Sequence, residues 1–274
     1  MFNIWTINYS AWWGFTFNNI NTFSYSSVSY SVATQESSPQ GIEFNTDGTK
    51  MFIIWFSWDD INEYTLSTWF DLSSTVTFID SFSISGQDTT PQDIKFNSDG
   101  TKLFMLWRAN GDVFSYTLST WFDISTASYD SASYSVSEGS NLYGLTLNED
   151  GTKMIILSSW NSTLYSYTLS TGWDITSASY DSVSYTMSWI IWSLLRGMCF
   201  TPDGSNFLIS GVNADTIYQF SNTTWFDIST ASYDSLFLSV SAQDWNPQNM
   251  RYNSTWDKLF LVWSTWDKVY EYSI

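Results

Sequence analysis

Histidine, cysteine and basic residues are the conspicuous shortages of this 274-residue chain. It has no histidine, which removes the commonest general base and a common metal ligand and makes a Ser-His-Asp triad impossible. Its one cysteine, Cys199, has no partner for an internal disulfide. Nine basic residues stand against 27 acidic ones, and the net charge of −18 argues against nucleic-acid or anionic membrane partners. No apolar run reaches about 18 residues, so membrane insertion is not predicted.

Aromatic and small polar residues fill the chain instead. With 20% aromatic and 43% hydrophobic residues it has ample side chains for a core, and this composition excludes disorder. Ser, Thr and Asn make up much of the remainder. Their side chains compete for backbone hydrogen bonds, which favours strands and turns over helices. The composition therefore favours an all-β protein.

A unit of about 52 residues occurs five times along the chain. Its marker reads "FNTDGTKMF" at 44–52, "FNSDGTKLF" at 96–104, "LNEDGTKMI" at 147–155, "FTPDGSNFL" at 200–208 and "YNSTWDKLF" at 252–260. In the second copy, period-two alternation indicates strands at 93–97, 102–107, 113–118 and 129–137, with an Asp-Gly turn between the first two. Four antiparallel strands repeated at this period are typical of a β-propeller blade.

These repeats predict a single domain, a five-bladed β-propeller of four-stranded antiparallel blades. The repeats span about 36–86, 87–137, 138–188, 189–241 and 242–274. The last repeat lacks a fourth strand, and "YSSVSYSV" at 25–32 matches the fourth strand "YDSASYSV" at 129–136. We therefore predict that the segment 21–32 completes the last blade and leaves no open sheet edge in the ring. The alternative is that this segment completes a blade of a neighbouring subunit.

The turn sequences also carry a family resemblance. The stretch "FTPDGS" at 200–205, with its variants "FNTDGT" and "FNSDGT", resembles the F-[ST]-P-D-G-[TS] signature of WD40-like, YVTN-type propeller repeats. The longer repeat is similar to tandem-repeat propellers of secreted bacterial and phage proteins. That resemblance implies an extracellular or virion-surface protein. It also implies proline at Trp69, Trp121 and Trp225 and glycine at Trp256, where a tryptophan is expected to be strained.

The aspartates of the turns and the residues predicted to line the channel could serve either a catalytic or metal-binding function or the structure of the blades. The turn residues Asp47, Asp99, Asp150 and Asp203, and the residues Asp71, Asp123, Asp174 and Asp227 farther along each repeat, are predicted to cap local amides. The first strand of each repeat should line the channel with Glu43, Lys95, Thr146, Cys199 and Arg251. Glycoside hydrolysis needs a pair of carboxyl groups. We expect instead a neutralised structural cluster, with no catalytic residue, metal or cofactor.

Tryptophans near the loops are the candidate ligand-binding residues. Trp55, Trp107 and Trp263 end the second strands, and Trp58, Trp160 and Trp266 follow in the next loops. Aromatic rings beside amides and carboxylates offer a sugar both stacking and hydrogen bonds. The alternative for the strand-end residues is packing between blades. Polar partners come from the pairs Gln35-Glu36, Gln87-Asp88 and Gln243-Asp244, which alternatively stabilise their own loops.

Further surface signals complete the functional hypothesis. The apolar residues Trp189 to Trp192 are a candidate contact for another subunit. Glycosylation sequons begin at Asn8, Asn161, Asn222 and Asn253. The leading hypothesis is a non-catalytic structural or adhesion propeller on a cell or virion surface, in a repeated assembly with itself or with other surface proteins. The alternatives are a carbohydrate-binding lectin and a glycoside-acting enzyme.

Overall fold

The structure, a computed structural model, describes residues 19–35, 37–87, 89–108, 110–191, 194–243 and 245–274. These residues form five four-stranded antiparallel sheets and the loops that connect them. The strand preceding the first complete sheet is β1 (Ser24–Ser31). Blade 1 contains β2 (Pro39–Phe44), β3 (Lys50–Trp55), β4 (Asp60–Leu66) and β5 (Val76–Ser83). Blade 2 contains β6 (Pro91–Phe96), β7 (Lys102–Trp107), β8 (Asp112–Leu118) and β9 (Ala127–Ser135).

The remaining blades repeat this order. Blade 3 contains β10 (Leu142–Leu147), β11 (Lys153–Ser158), β12 (Thr163–Leu169) and β13 (Ala178–Thr186). Blade 4 contains β14 (Leu195–Phe200), β15 (Asn206–Gly211), β16 (Thr216–Asn222) and β17 (Ala231–Ser239). Blade 5 contains β18 (Pro247–Tyr252), β19 (Lys258–Trp263) and β20 (Lys268–Ser273), with β1 as its fourth strand. The predicted five-bladed propeller is confirmed, and no helix among the described residues is long and apolar enough to cross a bilayer.

The first strands of the blades form the inner wall of the ring. Each of β2, β6, β10, β14 and β18 packs against the next, and β18 packs back against β2, as the repeat predicts. Outside this wall, hydrophobic side chains of neighbouring blades meet in separate clusters. The ring centroids of Phe52 in blade 1 and Phe96 in blade 2 lie 4.7 Å apart. Those of Phe44 in blade 1 and Phe260 in blade 5 are also 4.7 Å apart. Each such side chain stabilises the fold by about 1.5–3 kcal/mol on burial.

The crossing from third to fourth strand is stabilised by one aspartate in each of the first four blades. Asp123 precedes a short 3₁₀ helix (Ile124–Thr126) and accepts a hydrogen bond from the Ser125 amide at 3.1 Å. The side chains of Asp174 and Asp227 cap equivalent 3₁₀ turns, and Asp71 accepts from the Ser73 amide at 2.9 Å. The predicted capping role is thus confirmed.

The Asp-Gly turns use their aspartates in the same way. The Asp47 carboxylate accepts from the Thr49 amide at 3.0 Å and from the Thr49 hydroxyl at 2.6 Å. Asp99, Asp150 and Asp203 make the equivalent contacts in their own turns. These turns, at 45–49, 97–101, 148–152 and 201–205, share one face of the ring with the third-to-fourth strand crossings, and we call it the Asp-Gly face. The loops between second and third strands lie on the other face, which we call the Trp58 face.

A glycine and an aromatic ring interlock on the Asp-Gly face of each of the first four blades. Gly100 has φ of +72°, and a Cβ there would lie 2.3 Å from the ring of Phe122. Phe122 also donates its amide to the Gly100 carbonyl at 3.0 Å. The other three pairs are Gly48 with Phe70, Gly151 with Trp173, and Gly204 with Phe226. Only glycine leaves room for the ring and tolerates this backbone without strain.

Trp256 replaces the glycine of this turn in blade 5, with φ of +60°. In that blade the fourth strand is β1, so among the described residues no loop crosses from β20 to a fourth strand over the turn. The aromatic ring that packs on the glycine in the other blades therefore has no counterpart in the described part of blade 5, and the turn there accommodates a side chain. The expected backbone strain is present. Trp69, Trp121 and Trp225 are not strained: each is a surface residue without positive φ.

Gly100→Ala is predicted to lower the free energy of unfolding by about 2–4 kcal/mol, because a left-handed alanine is strained and its Cβ overlaps Phe122. Gly86→Ala is the control, since nothing lies within 4 Å of a Cβ there. Urea denaturation measures both variants. A Gly100→Ala protein as stable as Gly86→Ala would contradict the interlock.

The ring is closed by a strand from the start of the same chain. β1 runs antiparallel to β20, with Tyr30 opposite Val269 and Val28 opposite Glu271. Its register shifts between Tyr25 and Val28, as the fourth strands of the other blades also shift against their third strands. The fourth strand that the last repeat lacks is thus supplied as predicted.

A designed disulfide tests closure within one chain. The hydroxyls of Ser26 and Ser273 lie 3.0 Å apart, so cysteines at these positions are within bonding reach. The S26C/S273C variant is predicted to form an intramolecular bond under mild oxidation, because β1 pairs within its own ring. Non-reducing electrophoresis should show a monomer. A ladder of linked chains would instead place β1 in a neighbouring ring.

Candidate functional site

A buried arginine crosses the centre of the channel. The Arg251 side chain comes from β18 and is only 6% exposed. Its Nη2 lies 2.7 Å from the Asp93 carboxylate of blade 2, and its Nε lies 3.2 Å from the Glu43 carboxylate of blade 1. Lys95 contacts the same Glu43 oxygen at 2.9 Å. Two cations and two carboxylates thus form one ion-pair network, and their formal charges cancel.

The same network reaches the other blades through backbone groups. Arg251 donates from Nη1 to the Met198 carbonyl of blade 4 at 3.2 Å. Asp93 accepts from the Leu145 amide of blade 3 at 2.8 Å with its second oxygen. All five first strands are therefore joined by one connected set of charge-assisted hydrogen bonds, which are stronger than neutral ones.

The two carboxyl groups titrate differently although they share a cation. Burial raises the pKa of Asp93 to about 6, with Arg251 acting in the opposite direction. Burial alone would raise the pKa of Glu43 too, but Lys95 and Arg251 outweigh it and the pKa is lowered. Burial also raises the pKa of the Cys199 thiol, so the sulfur stays protonated and unreactive at neutral pH.

The predicted neutralised cluster is confirmed, with one addition. The repeat predicted Glu43, Lys95 and Arg251 as channel residues. It did not point to Asp93, which lies two residues before Lys95 on the same strand. Period-two alternation puts residues 93 and 95 on one face of β6, and that signal would have found it. Glu43 and Asp93 are both paired with cations, and these ion pairs stabilise the contacts between blades.

A cavity of about 300 Å³ opens above this network on the Asp-Gly face. Glu43, Lys95 and Arg251 contribute to its floor, and the aromatic residues Phe44, Phe70, Phe96, Phe122, Trp173, Phe200, Phe226 and Tyr252 contribute to its wall. Four asparagines that follow the first strands also line it: Asn45, Asn97, Asn148 and Asn253. Their amides bind the neighbouring turns, as the Asn45 amide binds the Thr49 hydroxyl at 3.1 Å. The cavity is thus mainly an aromatic funnel over a charged floor.

The mouth of the channel on the Trp58 face has a different chemistry. Tyr143 of β10 is buried there, and the Arg196 guanidinium of β14 lies 4.1 Å from its ring centroid. The Arg108 guanidinium, which follows β7, lies 5.5 Å from the same centroid. Neither arginine was selected from the sequence. Their positions in different repeats give no local motif, because only the ring brings blades 2, 3 and 4 together at this point.

The tryptophans predicted to bind ligands fall into two groups. Trp55, Trp107 and Trp263 have no exposed surface and belong to the clusters between blades, so they are core residues and offer no stacking surface. Trp58, Trp160 and Trp266 are 71%, 76% and 62% exposed. They occupy the loops after the second strands of blades 1, 3 and 5, on one face of the ring. Only this second group stays in the candidate binding surface.

The Gln-acid pairs stabilise their own loops through the glutamines. Tyr116 of β8 donates to the Gln87 side chain at 2.9 Å, and Tyr272 of β20 donates to Gln243 at 2.9 Å. Tyr64 makes the same contact with Gln35, and in the third repeat Tyr167 donates to Glu138 at 2.8 Å. The partner acids Glu36, Asp88 and Asp244 lie outside the described residues, as does Trp192 of the apolar loop. In that loop Trp189 is exposed, whereas Ile191 belongs to the core.

The sequons differ in accessibility. Asn222 and Asn253 are buried, and their amides bind the Gly204 carbonyl and the Asp257 carboxylate. A buried amide is closed to glycan transfer in the folded protein. Asn161 is exposed in the loop beside Trp160. Asn8 lies outside the described residues.

Comparisons with known proteins agree on the fold. No family model matches the chain, and no curated protein does. The glutaminyl cyclase of Myxococcus xanthus is 12% identical, with a TM-score of 0.62 and coverage of 91% of this chain and 95% of that one. A functionally unknown protein from Desulfotomaculum acetoxidans is 13% identical, with a TM-score of 0.53 and coverage of 85% and 68%. The β-propeller domain of Cps50 (Swd1) is 8% identical, with a TM-score of 0.50 and coverage of 92% and 99%. At these identities the likeness is one of fold.

Arg251→Met is predicted to lower the free energy of unfolding by about 3–5 kcal/mol at pH 8, because it leaves buried carboxylates without their cation. The loss should be smaller at pH 5. The pKa of Asp93 is about 6 in the folded protein, above its reference value of 3.8. The stability that the protonated carboxyl contributes is therefore fully present below pH 3.8 and is lost as the pH rises through 6. Without Arg251 the pKa of Asp93 in the folded protein should rise further, so more stability should be lost between pH 5 and pH 8 in the variant than in the wild-type protein.

Urea denaturation at pH 5 and pH 8 measures the effect. In the double variant Arg251→Met/Asp93→Asn, the difference between the two pH values should shrink, because the titrating group is gone. A single variant with equal losses at both pH values would show that Asp93 does not depend on Arg251.

Proposed function

We propose that this propeller is a non-catalytic adhesion and structural protein of a cell or virion surface, working within a repeated assembly. The observation that carries the proposal is the set of loop tryptophans Trp58, Trp160 and Trp266, which occupy corresponding loops of three blades and face solvent. A single exposed tryptophan is ordinary on a protein surface. Corresponding exposed rings around one face favour a surface that engages a repetitive partner several times at once.

The energetics of interfaces support this use of the Trp58 face. Tryptophan is enriched among the residues that dominate binding energy, because a large rigid ring buries much area at little entropic cost. Trp245 and Trp189, in the loops leading into blades 5 and 4, add exposed rings to the same face. The surface therefore combines several aromatic anchors with the polar loops between them.

An extracellular or virion-surface setting rests on the resemblance to secreted bacterial and phage propellers. The composition suits that setting, since net charge far from zero keeps a protein with many exposed aromatic rings soluble. Self-assembly and other surface proteins are the partners that we propose.

Carbohydrate binding is the second candidate, favoured by the surroundings of the exposed rings. Trp160 stands beside the exposed Asn161, and the hydroxyl of Ser57, next to Trp58, is hydrogen-bonded to the Ser37 carbonyl at 3.1 Å. Rings flanked by ordered polar groups suit the alternating faces of a sugar. A glycoside-acting enzyme gains less support, because Glu43 and Asp93 in the channel are both paired with Arg251.

Two matched triple variants test the proposal. Trp58→Ala/Trp160→Ala/Trp266→Ala removes the rings of the Trp58 face. Trp69→Ala/Trp121→Ala/Trp225→Ala removes three similarly exposed rings of the Asp-Gly face. We expect the first variant to lose about tenfold or more in binding and the second to keep it, because the proposal assigns the contact with the partner to the Trp58 face and truncated aromatic anchors cost most of the binding energy.

Sedimentation velocity measures self-association, and a glycan array measures sugar binding. Loss of self-association in the first variant alone supports the assembly role, and loss of glycan signal in the first variant alone supports the lectin. Equal behaviour of both variants in both measurements would contradict the proposal.

A further inference from the structure

At the channel mouth on the Trp58 face, the residues at one equivalent position differ between the blades. The second residue of the first strand is glutamine in blades 1, 2 and 5, but tyrosine in blade 3 and arginine in blade 4; in ring order these residues are Gln40, Gln92, Tyr143, Arg196 and Gln248. At the channel centre the first-strand residues also differ from blade to blade, but there they are paired with one another through Arg251. The departure at the channel mouth belongs to no ion pair among the described residues, so charge pairing within the ring does not explain it.

The departing residues form one cluster. Arg196 and Arg108 lie 4.1 and 5.5 Å from the centroid of the same Tyr143 ring. Tyr143 is 6% exposed, so the ring is a fixed support for both guanidinium groups. Blades 2, 3 and 4 contribute one residue each, and the cluster exists only because the ring brings them together.

Arg108, Arg196 and Lys268 are the basic residues without a carboxylate partner among the described residues, and of these the two arginines share one aromatic ring. Lys50, Lys95, Lys102, Lys153, Lys258 and Arg251 each lie within 3.2 Å of a carboxylate. Among the described residues, no carboxylate lies within 4.0 Å of Arg108 or Arg196, although the chain has 27 acidic side chains. What distinguishes Arg108 and Arg196 from Lys268 is that they lie against the same ring, where two like charges repel each other.

The electrostatics of Arg196 are correspondingly unfavourable. Its Nε is buried, and no hydrogen-bond acceptor for it lies among the described residues. Burial lowers the pKa of Arg196, and the charge of Arg108 lowers it further, while Tyr143 acts against both. A half-buried cation beside a second cation is destabilising unless an anion joins them.

We infer that Arg108 and Arg196, supported by Tyr143, form a binding site for the carboxylate group of a ligand at the channel mouth of the Trp58 face. A guanidinium presents paired N–H donors whose spacing matches the two oxygens of a carboxylate. A carboxylate carries one negative charge, whereas phosphate carries up to two near neutral pH. Because the whole chain repels anions with a net charge of −18, the singly charged group is favoured.

This site goes beyond the proposed adhesion role and does not depend on it. It uses none of the loop tryptophans in the triple variants, and a soluble small molecule is enough to detect it. The site would persist in a propeller that neither self-associates nor binds a glycan surface.

Glucuronate and glucose are the matched probes, since they differ only by the carboxylate group at C6. Isothermal titration calorimetry at low ionic strength should show glucuronate binding the wild-type protein at least about tenfold more tightly than glucose, because charge-assisted hydrogen bonds are made only by the carboxylate. Sulfate and phosphate are titrated in parallel and should bind more weakly than glucuronate.

Arg108→Gln and Arg196→Gln are each predicted to weaken glucuronate binding by about tenfold or more. Lys268→Gln is the charge-matched control, because Lys268 begins β20 on the same face and should leave binding unchanged. Circular dichroism verifies folding, and Arg108→Gln keeps the test open if Arg196→Gln does not fold. No binding of glucuronate to the wild-type protein, tighter binding of sulfate or phosphate, or an equal loss in Lys268→Gln would overturn the inference.

Discussion

The guanidinium of Arg251 is the constraint on which the closed ring depends. A propeller of five repeats has no covalent link across its centre, and hydrophobic contacts join each blade only to its neighbours. Arg251 contacts groups from blades 1, 2 and 4 besides its own, and Asp93 extends the connection to blade 3. The charges that make this connection strong are buried and therefore costly to leave unpaired, so they favour one arrangement of the five blades.

Some residues recur from blade to blade in this chain, whereas those at the channel centre differ in every blade, and the two groups have different structural roles. The turn aspartates and the Asp-Gly turns recur in the first four blades because each of these blades needs the same caps. The buried strand-end tryptophans recur in blades 1, 2 and 5, where they pack between neighbouring blades. The channel residues do not recur: position 43 and its equivalents are Glu, Lys, Thr, Cys and Arg. At the centre of a ring equivalent side chains approach one another, and five equal charges there would repel.

Tryptophan has four distinct roles here, and its identity alone does not distinguish them. Trp55 and its equivalents are core residues, and Trp173 covers a glycine turn as phenylalanine does in blades 1, 2 and 4. Trp256 occupies a left-handed turn position in blade 5, whose fourth strand is β1. Trp58 and Trp121 are solvent-exposed on opposite faces. The environment of each ring, and not its chemistry, decides what it contributes.

Local pattern was enough to predict the blades, because strand alternation, Asp-Gly turns and aspartate caps are properties of a few consecutive residues. The 52-residue period predicted the blade number, and the unmatched strand at 25–32 predicted that it completes the last blade, although the sequence left open whether this happens within one chain or between neighbours. Strand alternation is enough to place Asp93 on the channel face beside Lys95, but it does not reveal the pairing of Asp93 with Arg251, which lies 158 positions away. Arg108 and Arg196 had no such local signal, since both meet Tyr143 from other blades. The sequence by itself determined the repeating architecture. Only the tertiary structure decided which charges are paired at the channel centre and which cations share a tyrosine ring at its mouth, because closing the ring sets distances between residues that no local pattern relates.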